Sequence, residues 1–455
     1  MIDFLLEISE NAAPRFLHCE GERVFERDDK CTYIFGITDG SAFSDLRESL
    51  AGAFIAVEFE KREGVCRVIQ SRLGGNKTVF YMEHGGKTYV FTSIKLLSKL
   101  GIACRFNDNH DIVCEFIYNG FIRTRDTLIC GVYKLLADEY LRIEGGRLRV
   151  CSFERFTAAP KNIGTAEIYE LECGIIGRYI ALAERNDSAL NIAVSGGYDS
   201  NLILHVLRQS GKKARAFSIG GSRGQDETAA AARICDAAEE TSLETAYVTR
   251  NTLGELESIV RILEGSVYER GVFLQYELAK LLSQNGVSCV LLGECADQVF
   301  NRNFYDLKEP DYLTDYIKHP YELGTMVVLK KSVLMLDAFG ISGIYPFTDG
   351  DMLRLGAEIY EENGTSKIRQ RQMCDAFFDD KIRSLIEKLP GSSSLCALFA
   401  DEEEEAAFVR RVQETNPFYD PGFRISYKYG PGESELDYYL CLEYLRVFRE
   451  IFCDE

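Results

Sequence analysis

The stretch "NIAVSGGYDSNLILHVL", residues 191–207, decides how this chain folds. A short apolar run ends in Ser195-Gly196-Gly197-Tyr198-Asp199-Ser200, and residues with helical apolar spacing follow. That order reads as a strand, a polar turn and a helix N-terminus. In an open parallel sheet, ligands bind at the carboxyl ends of the strands. A helix N-terminus offers free N–H groups and partial positive charge, which suit phosphate. Gly196 and Gly197 let the backbone approach an anion closely, and Ser195 and Ser200 add hydroxyl donors. Asp199 would repel a bare phosphate; a carboxylate there makes sense if it holds Mg2+ that bridges the phosphates. The turn alone therefore points to a magnesium–nucleotide. A strand–helix turn in which Asp and Ser act only as caps is the alternative.

The flanking rhythm supports a parallel sheet. From about residue 165, helix-like "AEIYELECGIIGRYIALAER" precedes the quoted strand and a helix over roughly 200–210. Then come strand "KARAFSIGG", helix "DETAAAARICDAAEE", strand "LETAYVTR", helical segments over about 252–284 and strand "VSCVLLGE". Strands alternating with helices of this length imply βαβ units. Residues 310–455 read as mainly helical. Before residue 155 the pattern is different: short alternating runs such as "GAFIAVEFEK" and "TVFYMEHGGKTYVFTS" are broken by turns. Gly85-Gly86 and Gly145-Gly146 sit between alternating runs as hairpin signals. This half reads as antiparallel sheet with helices near 93–100 and 111–119. The boundary is placed near 158–164, giving an α+β domain over 1–160 and an α/β domain with a parallel sheet and a helical C-terminal part over 161–455. Each is long enough for its own core.

Composition narrows the function. The chain has 455 residues and a formal net charge of −19, which argues against nucleic-acid binding, since a phosphate backbone needs a basic footprint. No run of about 18 apolar residues suggests a membrane span, and the start lacks the features of a signal peptide. Fifteen cysteines are scattered without C-x-x-C pairs, mostly in apolar runs, and read as reduced core residues of a cytoplasmic protein. The run "DEEEE" at 401–405 reads as a solvated helix face or loop.

No lysine of a Walker A loop follows the turn. It resembles instead the S-G-G-x-D-S loop of the N-type ATP pyrophosphatase (PP-loop) family, whose members cleave ATP between the α and β phosphates. A second stretch, "VLLGECADQVFNRNFY" (290–305), resembles the asparagine synthetase pattern G-E-G-A-D-E-x-F-G-G-Y. Gly293, Glu294, Ala296, Asp297 and Phe300 match; Cys295, Gln298 and Asn301-Arg302 depart from it. The resemblance implies ATP and Mg2+, with Asp199 and Asp297 as metal ligands. It implies Val194, Ser195, Gly196, Gly197, Asp199, Ser200, Gly293 and Glu294 around the phosphates, and Ser218, Ile219 and Gly220 beside the adenine. Asp226 or Glu227 reads as a helix N-terminal charge. "DAFGISGIYPFTDGDMLRLG" (337–356) is similar to a further family block, matching at Pro346, Phe347 and Asp349. Ser342 stands where the family usually has Glu near the acyl substrate, and Ile344 where it has Arg. "LDYYLCLEYLRVF" (436–448) resembles the family's closing helix. A lysine is expected to stabilise charge developing on phosphorus and carbon; Lys388 is favoured, with Lys428 as rival.

The first half resembles the glutaminase (Ntn-hydrolase-like) domain of the same family in "LAGAFIAVEFE", "SRLGGNKTVFYMEHGGKTYVFTSIKLLSKL" and "NGFIRTRDTLICGVYKLLADEYLRI". Position 2 is Ile2 rather than the nucleophilic Cys, so this half is expected to be a scaffold that does not hydrolyse glutamine. These departures are similar to those of the β-lactam synthetase and lasso-peptide cyclase branches. The expected activity is thus an AMP-forming amide ligase, with an amine carried by the small-molecule or peptide substrate attacking its adenylated carboxylate. Ammonia-dependent amidation of an amino acid or sugar acid is the second reading, and a non-catalytic ATP or AMP sensor or partner subunit the third. Neither nucleic acid nor membrane is an expected partner; biosynthetic-cluster proteins or a second copy in a homodimer are.

Overall fold

The computed structural model describes the chain apart from residues 1–2, 10–13, 21, 28–29, 39–51, 72–76, 137–138, 153–160, 222–226, 239–240, 301–326, 360–365, 387–397, 423–432 and 454–455.

The alternating runs of the first half form two antiparallel sheets. The first runs β2 (Arg15–Glu20), β1 (Asp3–Ile8), β8 (Lys87–Phe91), β7 (Phe80–His84) and β9 (Val132–Lys134). The second runs β11 (Arg147–Ser152), β10 (Glu139–Glu144), β6 (Val65–Gln70), β5 (Gly52–Glu60), β4 (Lys30–Thr38) and β3 (Glu22–Arg27). Both Gly-Gly pairs turn as expected: Gly85 and Gly86 join β7 to β8 with φ of 59° and 74°, and Gly145 and Gly146 join β10 to β11 with 57° and 77°. Positive φ at both central residues matches the right-handed twist of the strands. A 3₁₀ helix over Ile94–Leu100 and helix α1 (His110–Asn119) complete this half; both were expected from sequence.

β1, "DFLLEI", is apolar on both faces because its sheet is a middle layer. Phe4, Leu6 and Ile8 pack with Phe35, Ile55, Val57, Val68 and Leu141 between the two sheets. Leu5 on the opposite face joins Phe80 and Phe91 in a larger cluster that continues into Ile168, Ile175 and Tyr179 of the second half. The first half has a core of its own between its two sheets, and in addition one face of its first sheet is covered by the second half. Polar ties cross the same boundary. The buried Lys77 ammonium lies 2.8 Å from Asp3 and 2.9 Å from Asp337, and the Ser93 hydroxyl donates to Glu264 at 2.6 Å.

Gly120, which ends α1 at φ +78°, faces the second half so closely that a Cβ there would lie 1.9 Å from the Tyr268 carbonyl oxygen. Gly120→Ala is therefore expected to lower stability by about 3 kcal/mol, combining left-handed strain with a backbone clash; the urea midpoint measures it. A midpoint equal to wild type would show that this contact is not held in solution.

The second half opens with α2 (Thr165–Asn186) and builds a five-stranded parallel sheet in the order β14 (Thr241–Val248), β13 (Ala214–Gly221), β12 (Asn191–Ala193), β15 (Cys289–Leu291), β16 (Ser342–Ile344). Around it lie α3 (Tyr198–Gln209), α4 (Glu227–Ala237), α5 (Arg250–Gly254), α6 (Leu256–Leu263), α7 (Val272–Gln284) and α8 (Ala296–Phe300). Then come α9 (Leu329–Ala338), α10 (Gly350–Glu358), α11 (Ser366–Phe377), α12 (Asp380–Arg383), α13 (Glu402–Thr415) and α14 (Glu433–Phe452). In chain order the strands run third, second, first, fourth, fifth. The order reverses between β12 and β15, so a crevice opens beyond the carboxyl ends of those two strands. The acidic run resolves as the first turn of α13, capped by Asp401, where carboxylates oppose the positive helix end.

Candidate active site

The two acidic turns singled out in the sequence follow β12 and β15, the strands that flank this crevice. The first folds tightly on itself. Ser195 N–H donates to Ser200 Oγ at 3.0 Å, the two serine hydroxyls lie 3.1 Å apart, and Gly197 N–H donates to Ser195 Oγ at 3.2 Å. The buried Asn201 amide donates to the carbonyls of Ser195 and Gly197, at 3.1 and 2.6 Å. α3 begins at Tyr198, two residues earlier than expected, which puts Asp199 and Ser200 in its first turn. Gly196 and Gly197 are absent from the positive-φ glycines. At Gly197 an added Cβ would meet only Ser195 Oγ, at 3.5 Å. What this glycine supplies is open space above the backbone rather than unusual dihedrals. Val194 is buried and donates its N–H to Phe217 O at 2.9 Å, tying the loop to β13. Ser218, Ile219 and Gly220 continue β13 just beyond that point.

The second turn needs its glycine for contact. A Cβ on Gly293 would lie 3.0 Å from Ser200 N and 3.3 Å from Asp199 C, so the two loops meet there. Gly293→Ala is expected to part them by a few tenths of an ångström. The predicted result is a rate about 100-fold lower with little change in melting temperature, because misplaced reacting groups are costly; the assay is pyrophosphate release. Cys295, which stands where the resembled pattern has glycine, is buried and has φ of 73°. A non-glycine residue held in this region is strained backbone of the sort that gathers at functional sites.

Lys367 joins the two turns. It lies in the first turn of α11, is 3 % exposed, and its ammonium contacts Asp199 Oδ1 and lies 3.2 Å from Asp297 Oδ1. Burial pulls its pKa down, but the two carboxylates outweigh burial and leave it raised. The same helix places the Arg371 guanidinium 5.9 Å from the Tyr198 ring centroid and accepts the Tyr198 hydroxyl on Asp375 at 2.9 Å. Lys367 is not among the residues expected from sequence. A signal existed: Lys367, Gln370 and Cys374 fall on one helical stripe, and all three are buried.

Other expected residues lie elsewhere. Glu294 is directed into the α7 side, where Gln275 donates to it at 2.7 Å and burial raises its pKa. Beside it Lys331 pairs with Glu269; burial pushes the Glu269 pKa up, but Lys331, the Gly271 N–H and Arg270 together leave it lowered. Asp349 caps α10 and pairs with Arg178 of α2 at 3.2 Å. Ser342 pairs with Cys289 at the amino end of its strand, and Ile344 with Leu291 at the end nearer the turn. Tyr268 donates to Asp437 and Tyr276 to Glu255, each at 3.1 Å, so both pack within the fold. Glu227 opens α4. Ile2, Asp226, Lys388 and Lys428 fall outside the described residues.

Among the described residues, no trio of His, Cys, Asp or Glu is placed to hold a metal ion, and no helix is long and apolar enough to cross a membrane. Two convergent carboxylates nevertheless fit Mg2+, which is often bound through one or two carboxylates with phosphates and water completing its shell.

Fold and site together define a two-part protein whose second half carries a parallel α/β sheet with an acidic, lysine-bridged crevice at its switch point. Residues 180–315 match the asparagine synthase family model. It is 23 % identical over 193 residues to the microcin J25-processing protein McjC of Escherichia coli, covering 42 % of this chain and 36 % of that protein; the match thus spans about a third of the relative's length. Among solved structures, it is similar to glutamine phosphoribosylpyrophosphate amidotransferase from B. subtilis, complexed with ADP and GMP, at 8 % identity and a TM-score of 0.20, covering 80 % of this chain and 88 % of that one. It is also similar to glutamine-dependent NAD+ synthetase from Acinetobacter baumannii, in complex with ADP, at 13 % identity and a TM-score of 0.24, covering 89 % and 84 %. Scores this low carry no argument about a shared fold.

Proposed function

We propose that this chain is an ATP-dependent, AMP-forming amide ligase that acts on a peptide carrying both the carboxylate and the amine. The observation that carries this reading is the meeting of Asp199 and Asp297 on Lys367 at the switch point. Two loops that each end in a carboxylate, with a buried ammonium between them, suit a polyphosphate and its divalent cation. The similarity to a microcin-processing protein favours a peptide over a free amino acid.

Asp199 and Asp297 would hold Mg2+, whose charge would offset that of the phosphates. The free N–H groups of the first turn of α3 and the Ser195 and Ser200 hydroxyls face the phosphates, and the carboxyl end of β13 flanks the base. A substrate carboxylate oxygen attacks the α-phosphorus, the α–β bridge breaks, and pyrophosphate leaves. The amine nitrogen then attacks the acyl carbon, loses a proton, and AMP departs with the former carboxylate oxygen. Lys367 faces the charge that builds on the phosphates, and Lys388 is proposed for the tetrahedral carbon.

The first half, proposed to span 1–160, serves as a wall and packing partner. β1 carries no thiol along Asp3–Ile8, so added glutamine is expected to release no glutamate; a measurable glutaminase rate would overturn that part. The decisive experiment is pyrophosphate release from ATP with Mg2+ and a panel of peptides. Release that depends on peptide, with loss of water from the product mass, supports cyclisation. Release that depends on ammonia instead replaces it with amidation.

A further inference from the structure

Behind Lys367, at its full depth in the protein, lies a carboxyl group that the chemistry above does not use. Glu172 of α2 is 0 % exposed, and the Gln370 amide donates to it, Nε2 to Oε2 at 3.2 Å. Two buried atoms of this pair remain without a hydrogen-bond partner among the described residues: Glu172 Oε1 and Gln370 Oε1. An ionised Glu172 cannot resolve this. Both orphans are acceptors, and turning the Gln370 amide over only exchanges which oxygen is stranded. One proton on Glu172 resolves both, since the acid O–H can donate to the amide oxygen while the amide N–H continues to donate to the acid. Buried polar atoms are almost always satisfied, and a buried unpaired carboxylate is costly.

We infer that Glu172 is a neutral carboxylic acid closed against Gln370 in a cyclic acid–amide pair, and that it is a positioning residue for Lys367. Gln370 sits three residues beyond Lys367 on α11, so the pair pins that turn of the helix to α2. Neutrality matters as much as the pin. A charged Glu172 would be a third carboxylate near Lys367, drawing the ammonium back from Asp199 and Asp297. Burial supports the assignment by pushing the Glu172 pKa up to about 8, with Gln370 and Lys367 lowering it less and Asp199 raising it. The other titratable groups around it are Cys374 on α11 and Cys173 on α2. Burial raises both thiols, Cys173 to about 11, so both stay neutral across the range in which Glu172 would titrate.

The role assigned to Lys367 rests on the ligase reading; the protonation of Glu172 does not. The test therefore has one arm free of activity. Infrared difference spectra of wild type against Glu172→Gln at pH 7 should show a carboxylic-acid C=O band that the variant lacks. Sign follows from linkage: between about pH 4.5 and pH 8 the folded protein keeps a proton that the unfolded chain releases, so wild type loses stability as pH rises and Glu172→Gln does not. The melting temperature of the variant relative to wild type should climb across that window. In the activity arm, Glu172→Gln, which can form the same cyclic pair, should keep at least half the rate of pyrophosphate release and lose the alkaline limb of the pH profile. Glu172→Ala should lose at least tenfold in kcat. No acid band, a flat melting difference, or a Gln variant that fails to fold would each overturn the neutral acid. With the band present, equal rates in Ala and Gln variants would overturn the positioning role. If no substrate elicits pyrophosphate, the ligase reading fails while the infrared and melting arms still decide Glu172.

Discussion

Asp199→Asn and Asp297→Asn are each expected to cut pyrophosphate release by about 10³-fold or more while leaving the fold intact. The two carboxylates come from turns after β12 and β15 and meet on one ammonium. An amide keeps the shape of either side chain but removes the charge that a divalent cation requires. Charge stabilisation of this kind is commonly the largest contribution to phosphoryl and acyl transfer. The fold survives because Lys367 keeps the other carboxylate as its counterion, and because both aspartates are partly exposed, at 23 % and 29 % of their side chains. Circular dichroism and melting temperature should stay near wild type. The double variant should be scarcely worse than either single one, since the carboxylates act as a unit. Full activity in either single variant would remove the metal assignment; a collapsed circular dichroism spectrum would show that the aspartates are structural.

Much of this architecture is legible in the sequence. The Gly-Gly hairpins, the two short helices of the first half and the βαβ rhythm of the second depend on local spacing, which a sequence displays directly. Both acidic turns were legible for the same reason: each is a strand end and a helix start. What local spacing could not give was how the pieces meet. The double-sided apolar character of β1 becomes intelligible only once Leu5 is seen to face the second half. Lys367 was hidden because its partners lie far from it in sequence, Asp199 being 168 residues away. "SKIRQRQMCDAFF" reads as an ordinary charged helix until α11 is laid across the crevice. Glu294 matched the resembled pattern yet is held on Gln275. Tyr268 and Tyr276 likewise show their partners only in the fold, where their hydroxyls donate to Asp437 and Glu255.

Lys367→Ala separates two roles that the same contacts could serve. If the lysine only neutralises the aspartates, its loss weakens the fold and the chemistry survives once Mg2+ takes its place. If it also faces the phosphates, Mg2+ restores the fold and not the rate. The second outcome is expected. Without Mg2+, two carboxylates brought together lose their shared cation. That costs about 1–2 kcal/mol, less than for a fully buried pair because both aspartates reach solvent. With Mg2+, the ammonium no longer competes for them, so the variant should bind the ion more tightly and gain more in melting temperature per millimolar Mg2+ than wild type does. The rate should stay about 100- to 1,000-fold down, because an ion between the aspartates does not replace a donor aimed at the phosphates. Lys367→Arg keeps the charge but spreads it over a larger planar fork that does not fit so enclosed a site; it should fall between wild type and Ala in rate and resemble wild type in its response to Mg2+. A Lys367→Ala variant at full speed in saturating Mg2+ would reduce the lysine to a placeholder for the metal. One whose melting temperature ignores Mg2+ would argue that Asp199 and Asp297 hold no metal at all.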